Sequence, residues 1–304
     1  MTTKVEILDV TARDGIQNEA TPFSTEDKID LITQSIASGA RRLEVASFAH
    51  PKYVPQMADA EAVIAGLPVH DDVDYIGLVM NERGVDRALK TKLDEIGFVC
   101  VATDTFAQKN QNQTRDGSVK LAKAMMSRAK SEGLSVNVTI AAAFGCPFEG
   151  EVSIETVVAM AVELARAGPR EISIADTIGV GNPWHVKRLL KALKSELGDM
   201  PIRGHFHNTR NTGIANVYAA IDEGIDTIDV SVGGIGGCPF APAATGNVPA
   251  EDIVYMLERN GIETGYSLEN LIRQSNWLKQ KMGNELPAMV SRAGGFPVTN
   301  KDAA

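Results

Sequence analysis

Eight short apolar segments rich in β-branched residues recur at fairly even spacing, and this pattern most constrains the fold. They span residues 5–11, 42–48, 74–80, 96–102, 135–144, 171–177, 202–208 and 227–232. The stretches between them carry the periodicity of amphipathic helices. Strands that alternate with helices form a parallel sheet with right-handed crossovers, and eight such strands can close into a barrel. The spacing therefore predicts an α/β fold of the (β/α)8 TIM-barrel type.

Helix starts can also be read from the sequence. Ser24, with Asp27 three residues later, resembles a capping box ahead of a helix over residues 25–38. Further helical stretches cover residues 155–167, 184–196, 250–260 and 268–282. The last two follow the eighth strand, so we expect additional C-terminal helices beyond the barrel.

The barrel accounts for most of the chain. We predict one catalytic domain over residues 1–304, with the barrel over about 5–248 and a C-terminal helical extension over about 249–290. The alternative is an open doubly wound sheet, which usually carries a Gly-rich nucleotide-binding turn after its first strand. Residues 11–15 hold TARDG at that position, which favours the barrel.

Charge and cysteine content exclude several classes of partner. The 304 residues carry 30 basic and 39 acidic side chains, a formal charge of −9 without a basic stripe, which argues against nucleic acid. Three cysteines without a CxxC pattern are typical of a reducing compartment. No apolar run is long enough to span a bilayer. We expect a cytoplasmic protein without a membrane partner.

Polar residues at the predicted strand ends indicate a metal site. His205 and His207 lie two residues apart in a strand, so both rings project to one face. Taken alone, such a pair is more often two hydrogen-bonded polar residues at a strand end. The C-terminal ends of barrel strands gather catalytic groups, however, and they also carry Asp14 and Asn247. This oxygen-rich set with two nitrogens favours a divalent cation, Mg or Mn, over structural Zn.

Other chemistry-bearing side chains follow the same strands. They are Arg13 and Gln17 after the first, Glu44 and Ser47 on the second, Asp176 and Thr177 on the sixth, and Cys238 after the eighth. A Gly-rich run at residues 233–237 precedes this cysteine. The run is consistent with a mobile lid that carries a reactive thiol, or with a tight turn around a buried one.

Seven segments at these strand ends together resemble one known family. They read RDGIQNE at 13–19, EVASF at 44–48, PKYVPQM at 51–57, GCPFEG at 145–150, DTIGVG at 176–181, HFH at 205–207 and GGIGGCPF at 233–240. In this order they are similar to the 3-hydroxy-3-methylglutaryl-CoA lyases, metal-dependent TIM-barrel enzymes. The resemblance covers the chain from residue 5 to about residue 278.

The resemblance implies roles for individual residues. The metal ligands fall on Asp14, His205, His207 and Asn247, the catalytic arginine on Arg13, the loop cysteine on Cys238, and supporting acids on Glu44 and Asp176. The implied reaction is a retro-Claisen cleavage of a 3-hydroxyacyl-CoA to acetyl-CoA and a keto acid with Mg or Mn, as in leucine degradation and ketone-body formation. The implied partner is an acyl-CoA substrate, and a homodimer is compatible with the fold.

A mechanism follows from these residue types. His205 or Asp176 would take the hydroxyl proton, and Arg13 would stabilise the enolate that forms. Cys238 would then protonate the enolate carbon. We expect substrate contacts from Gln17, Ser47, Thr177 and Arg210.

The chain departs from the family pattern after the second histidine. Where the lyases usually have DTYGQ, residues 208–212 read NTRNT. Arg210 would bind a second carboxylate if it reaches the pocket, and is surface charge if it points outward. The first alternative function is therefore that of a lyase acting on a different carboxylated or branched 3-hydroxyacyl-CoA. Others are a Claisen-type acyl-CoA synthase, a CoA-free aldolase, and a catalytically silent barrel that acts as a binding subunit.

Overall fold

The computed structural model describes residues 3–237 and 246–297. Its eight parallel strands pair in sequence order, and the eighth pairs with the first to close a barrel. The strands are β1 (Glu6–Asp9), β2 (Arg42–Ser47), β3 (Asp74–Val79), β4 (Glu95–Val101), β5 (Ser135–Ala141), β6 (Ile172–Asp176), β7 (Ile202–Phe206) and β8 (Thr227–Val230). The predicted α/β TIM-barrel fold is confirmed.

Helices connect successive strands and surround the barrel. They are α1 (Thr25–Ser38), α2 (Ala60–Gly66), α3 (Glu82–Ala88), α4 (Asp104–Gln111), α5 (Arg115–Ser131), α6 (Ile154–Ala165), α7 (Pro183–Leu197), α8 (Gly213–Asp222), α9 (Ala250–Glu258), α10 (Leu268–Met282) and α11 (Val290–Ala293). The last three follow β8, and α10 packs against α1. No helix in the described part of the chain is both long and apolar enough to cross a membrane.

Local sequence signals set the helix boundaries. The Ser24 side chain accepts a hydrogen bond from the Asp27 backbone, and the Asp27 carboxylate accepts one from the Ser24 backbone, so α1 begins with a full capping box. In the same way, Asn182 caps α7 and Pro183 occupies its first turn. These signals position the strand-to-helix loops that form the barrel mouth.

The predicted strands are too long at their C-terminal ends, for physical reasons. The sequence pattern predicts that the fifth strand reaches residue 144, but the strand ends at Ala141, because Ala142 has a left-handed φ of 56°. The seventh ends at Phe206, and His207 instead forms an isolated bridge with Asn247. Each observed strand ends one to three residues before its predicted end.

The apolar core lies between the strands and the helices, whereas the barrel interior is largely ionic. A continuous cluster of buried apolar side chains fills the outer layer. Inside the barrel, a small apolar group of Leu8, Val10 and Ile76 is separate from it. Buried charged groups, among them Arg42 and Glu95, pair across the interior. Such charges need partners, because their desolvation is costly.

Phe206 connects the core to the two histidines. It lies between them on β7, is only 2% exposed, and packs 5.9 Å from the ring of Phe144. Replacing it with alanine (Phe206→Ala) should cost about 3–5 kcal/mol of stability through the cavity left behind. Urea unfolding measures this loss. As a matched control, Phe296→Ala removes a 58% exposed ring and should cost less than about 1 kcal/mol. Equal losses would contradict this packing.

Candidate active site

The first strand delivers two charged side chains to the barrel mouth. Directly after β1, residues Thr11–Gly15 form a single π-helical turn that carries Arg13 and Asp14. Such turns are frequent at functional sites. The Asp14 Oδ2 atom accepts a hydrogen bond of 2.8 Å from Asn247 Nδ2 and lies 3.6 Å from His207 Nε2. The aspartate therefore meets residues that follow the seventh and eighth strands.

Three of these side chains form a possible metal site. Asp14, His205 and His207 each offer a ligand atom, and these atoms all lie within 4.8 Å of one another. Asn247 lies beside them, and its buried Oδ1 atom has no hydrogen-bond partner among the described residues. A carboxylate, two imidazoles and an orphaned amide oxygen fit a divalent cation with mixed oxygen and nitrogen ligands. The structure brings together all four residues that the sequence singled out as ligands.

The two histidines reach the site through the backbone of β7. His205 is on the strand and His207 lies one residue beyond its end, while Phe206 between them faces the core. Their ring centroids are 5.1 Å apart. The extended backbone continues past the strand through the bridge to Asn247, so the alternation of side chains holds for both rings.

Arg13 lies between two carboxylates. Its Nε donates a hydrogen bond of 2.6 Å to Glu44 Oε2, and its Nη1 pairs with Asp14 Oδ1. Burial acts to raise the pKa of Asp14, but the charge of Arg13 and the contact with His207 hold that pKa well below its usual range. Burial raises the pKa of Glu44, although Arg13 opposes this. Asp14 is thus kept ionised, as a metal ligand must be.

Asp176 lies at the end of β6, and its carboxylate is held by a backbone loop. It accepts hydrogen bonds of 2.9 Å from the backbone nitrogens of Val180 and Gly181. Burial raises its pKa, while these hydrogen bonds and the charges of His207 and His205 lower it. The group is therefore buried, oriented and electrostatically linked to the two histidines.

The four predicted substrate contacts lie in different surroundings. Gln17 is half-buried, and its Oε1 atom lacks a partner in the described part of the chain. The Ser47 hydroxyl accepts a hydrogen bond from the backbone of Ala49, and the Thr177 hydroxyl accepts one from Ala142. Of these three residues, Gln17 is the one with a buried polar atom that lacks a partner in the described part of the chain.

Arg210 is exposed and joins two loops. Its Nη1 donates hydrogen bonds to the backbone oxygens of Ile178 (2.8 Å) and Gly179 (3.1 Å). Asn208, in the same departure from the family pattern, accepts a hydrogen bond from the Gly213 backbone at the start of α8. In this structure both residues brace loops, and a contact between Arg210 and substrate stays a prediction.

The predicted loop cysteine, Cys238, lies outside the described residues. The Gly-rich segment before it is tied to the first strand end, because Asn18 Nδ2 donates a 2.7 Å hydrogen bond to the Gly237 oxygen. Gly236 has a φ of 111° and packs directly on the site. The segment that leads to Cys238 therefore starts next to Asp14 and Asn247.

Sequence reasoning missed one side chain at this site. Asp229 on β8 lies 2.9 Å from His205 Nδ1 through its Oδ2 atom. The signal was an acidic residue inside the otherwise uncharged strand TIDV, at a position that faces the barrel interior together with Thr227 and Ser231. Buried carboxylates are rare unless paired, so such a residue should be examined for a partner.

Gly236 offers a direct test of the site geometry. A Cβ atom there would lie 2.6 Å from Asn247 Nδ2 and 3.0 Å from the backbone oxygen of Asp14. Gly236→Ala should therefore displace both residues and weaken Mn²⁺ binding by about tenfold or more. The measurement is a Mn²⁺ titration of the folded protein.

The matched control is Gly133→Ala. Gly133 also has a positive φ, of 88°, but an added Cβ would meet no described atom within 4 Å. This variant carries similar backbone strain and should bind Mn²⁺ as the wild type does. Equal affinities for the two variants would contradict the packing of Gly236 on the site.

Comparisons with known proteins agree on one family. The family model described as HMGL-like matches residues 4–278. Hydroxymethylglutaryl-CoA lyase YngG of Bacillus subtilis is 40% identical over 285 residues, which cover 94% of this chain and 95% of that protein. The (R)-citramalyl-CoA lyase of Chloroflexus aurantiacus is 38% identical over 300 residues, which cover 95% of each chain.

Solved structures give the same result. An HMG-CoA lyase from Acinetobacter baumannii, in complex with coenzyme A and 3-methylmalate, superposes with a TM-score of 0.93. It is 36% identical and the match covers 98% of both chains. Together with the lyase relatives, this match and the family model show that the chain belongs to the HMGL-like family and is a carbon–carbon lyase.

Proposed function

We propose that this protein cleaves a carboxylated 3-hydroxyacyl-CoA by a retro-Claisen reaction, releasing acetyl-CoA and a keto acid. The leading substrate is 3-hydroxy-3-methylglutaryl-CoA, the substrate class in the name of the B. subtilis relative. The observation that carries the proposal is the contact of the Arg13 guanidinium with Asp14, itself one of three clustered groups that could hold a metal ion. The two relatives named above are lyases, which favours cleavage over Claisen synthesis.

Arg13 supplies the charge that this reaction needs. When the carbon–carbon bond breaks, negative charge moves onto the thioester oxygen as an enolate. A guanidinium stays protonated throughout and offers several N–H donors in one plane. Glu44 holds Arg13 from the side opposite Asp14, so the guanidinium is oriented before the charge develops.

A divalent cation at the Asp14–His205–His207 cluster would supply a Lewis acid that lowers the pKa of the substrate hydroxyl. Asp14, His205 and His207, with Asn247, would hold it. We propose Mg or Mn, because the set combines hard oxygen donors with two imidazoles. His205 has Nδ1 engaged with Asp229, which leaves its other nitrogen for the cation. Asp176 is therefore the better candidate for the base that takes the hydroxyl proton.

A second substrate has specific support. The C. aurantiacus relative is named for (R)-citramalyl-CoA, and the superposed A. baumannii structure contains 3-methylmalate. Citramalyl-CoA carries its hydroxyl and carboxylate on the same carbon, whereas hydroxymethylglutaryl-CoA places a methylene between them. The keto acid product separates the two: pyruvate from the first and acetoacetate from the second.

Several further expectations belong to the same proposal. Cys238 would donate the proton to the enolate carbon, by resemblance to the family. Gln17, Ser47, Thr177 and Arg210 would contact substrate, and Glu44 would orient Arg13. A single catalytic domain over the whole chain, a cytoplasmic location and a homodimer are likewise predictions from the sequence.

The activity can be tested with a panel of 3-hydroxyacyl-CoA esters. The purified protein, supplied with Mg²⁺ or Mn²⁺, should release acetyl-CoA and acetoacetate from hydroxymethylglutaryl-CoA. Release of pyruvate from citramalyl-CoA at a higher kcat/KM would favour the second substrate. No acetyl-CoA from any ester, by protein that binds Mn²⁺, would overturn the proposal.

Arg13→Met tests the role of the guanidinium. Loss of one charge stabiliser should lower kcat by about a hundred- to a thousandfold or more, with substrate KM much less changed. Steady-state kinetics measure this change. Arg41→Met removes an arginine whose side chain is 52% exposed and pairs with Asp72, so it should leave kcat unchanged. Near-normal turnover of Arg13→Met would remove Arg13 from the mechanism.

A further inference from the structure

His205 is braced from behind by a buried carboxylate. Asp229 Oδ2 lies 2.9 Å from His205 Nδ1, and the other oxygen of Asp229 lies 3.0 Å from Arg203 Nε in an ion pair. All three side chains come from adjacent strands, β7 and β8, and each residue is more than nine-tenths buried. Water therefore does not compete for these contacts.

The brace continues deeper into the barrel. Arg203 Nη1 pairs with Glu171, and Glu171 Oε1 lies 3.0 Å from Arg42 Nη2. His205, Asp229, Arg203, Glu171 and Arg42 thus form a chain of side chains in which acidic and basic groups alternate. Arg203 is paired with Asp229 on one side and with Glu171 on the other, so moving Asp229 would remove one of its two acidic partners from a buried site, which is costly. Asp229 is therefore fixed in place.

A fixed carboxylate behind an imidazole determines which ring nitrogen carries the proton. A carboxylate accepts hydrogen bonds, so Nδ1 of His205 carries the proton and the lone pair is on Nε2. Histidines that bind metals usually donate their second N–H to such a group, which also orients the ring. His207 differs, because its buried Nδ1 has no partner among the described residues.

We propose that Asp229 and Arg203 are positioning residues of the metal centre. Asp229 holds His205 in the tautomer and orientation that present Nε2 to the cation, and Arg203 holds Asp229. The inference rests on the proposed function only for the presence of a metal at this site. It assigns neither residue a contact with substrate.

The first test is Mn²⁺ binding by Asp229→Asn. An amide can donate to Nδ1, which moves the ring proton to Nε2 and blocks the cation. The Mn²⁺ dissociation constant should rise about ten- to a hundredfold, measured by electron paramagnetic resonance of free Mn²⁺ on protein shown to be folded. Arg203→Met should also weaken binding, and Arg203→Lys should restore part of the affinity.

Asp59→Asn is the matched control. It is also a change from aspartate to asparagine, and it removes the negative charge that pairs with a buried lysine. Asp59 Oδ1 lies 2.6 Å from Lys28 Nζ, and this pair is away from the metal site. Its Mn²⁺ affinity should equal that of the wild type, even if it is less stable. If Asp229→Asn also binds Mn²⁺ as tightly as the wild type, only this inference fails. If the wild type binds no Mn²⁺, both the proposed metal centre and this inference fail.

A second measurement does not depend on the Asp229 and Arg203 variants. The ¹⁵N shifts of the histidine rings in metal-free wild-type protein, at a pH where they are neutral, report which nitrogen is protonated. The His205 signal, identified by its loss in His205→Asn, should show a proton on Nδ1. A proton on Nε2 would overturn the proposal even if Asp229→Asn did not fold.

Discussion

The Asp14 carboxylate faces a permanent cation on one side and two imidazoles on the other. Its Oδ1 atom pairs with Arg13, while its Oδ2 atom is shared between Asn247 and the ring of His207. Arg13 keeps this carboxylate charged, so its second oxygen stays available as a ligand. The same contact places the guanidinium next to the position where the substrate would be held. In the proposed mechanism, one aspartate therefore links the proposed metal ligands to the guanidinium that would stabilise the developing charge.

The barrel explains why such a site can be held so firmly. Its interior carries paired charges where many barrels carry layers of aliphatic side chains. Burying these charges costs stability unless each one is paired with an opposite charge. Here arginines and carboxylates alternate from deep in the barrel interior up to His205. The outer layer of apolar residues supplies the hydrophobic stabilisation that offsets this cost. We propose that these ionic contacts, deeper in the barrel, set the orientation of His205 at the mouth.

Much of the fold could be predicted from the sequence, because hydrophobic periodicity and helix capping depend on residues that are close together in the chain. Every predicted strand begins within one residue of its observed start, and α1 and α10 have the predicted limits. The clustering of the proposed ligands could be predicted because parallel strands bring their C-terminal ends together. What could not be predicted depends on tertiary contacts: the left-handed Ala142 that ends β5 early, and the contact of Asp229 with His205 across two strands. The contacts of Arg210 could not be predicted either, because its backbone partner is brought into reach only by the folded loops.

The central claim is that one divalent cation is held by Asp14, His205 and His207. Anomalous X-ray diffraction from crystals grown with Mn²⁺ tests it most directly, because the signal locates the metal without reference to activity. We expect one strong peak about 2.0–2.2 Å from an Asp14 oxygen and from a ring nitrogen of each histidine. A peak elsewhere, or none at saturating Mn²⁺, would contradict it.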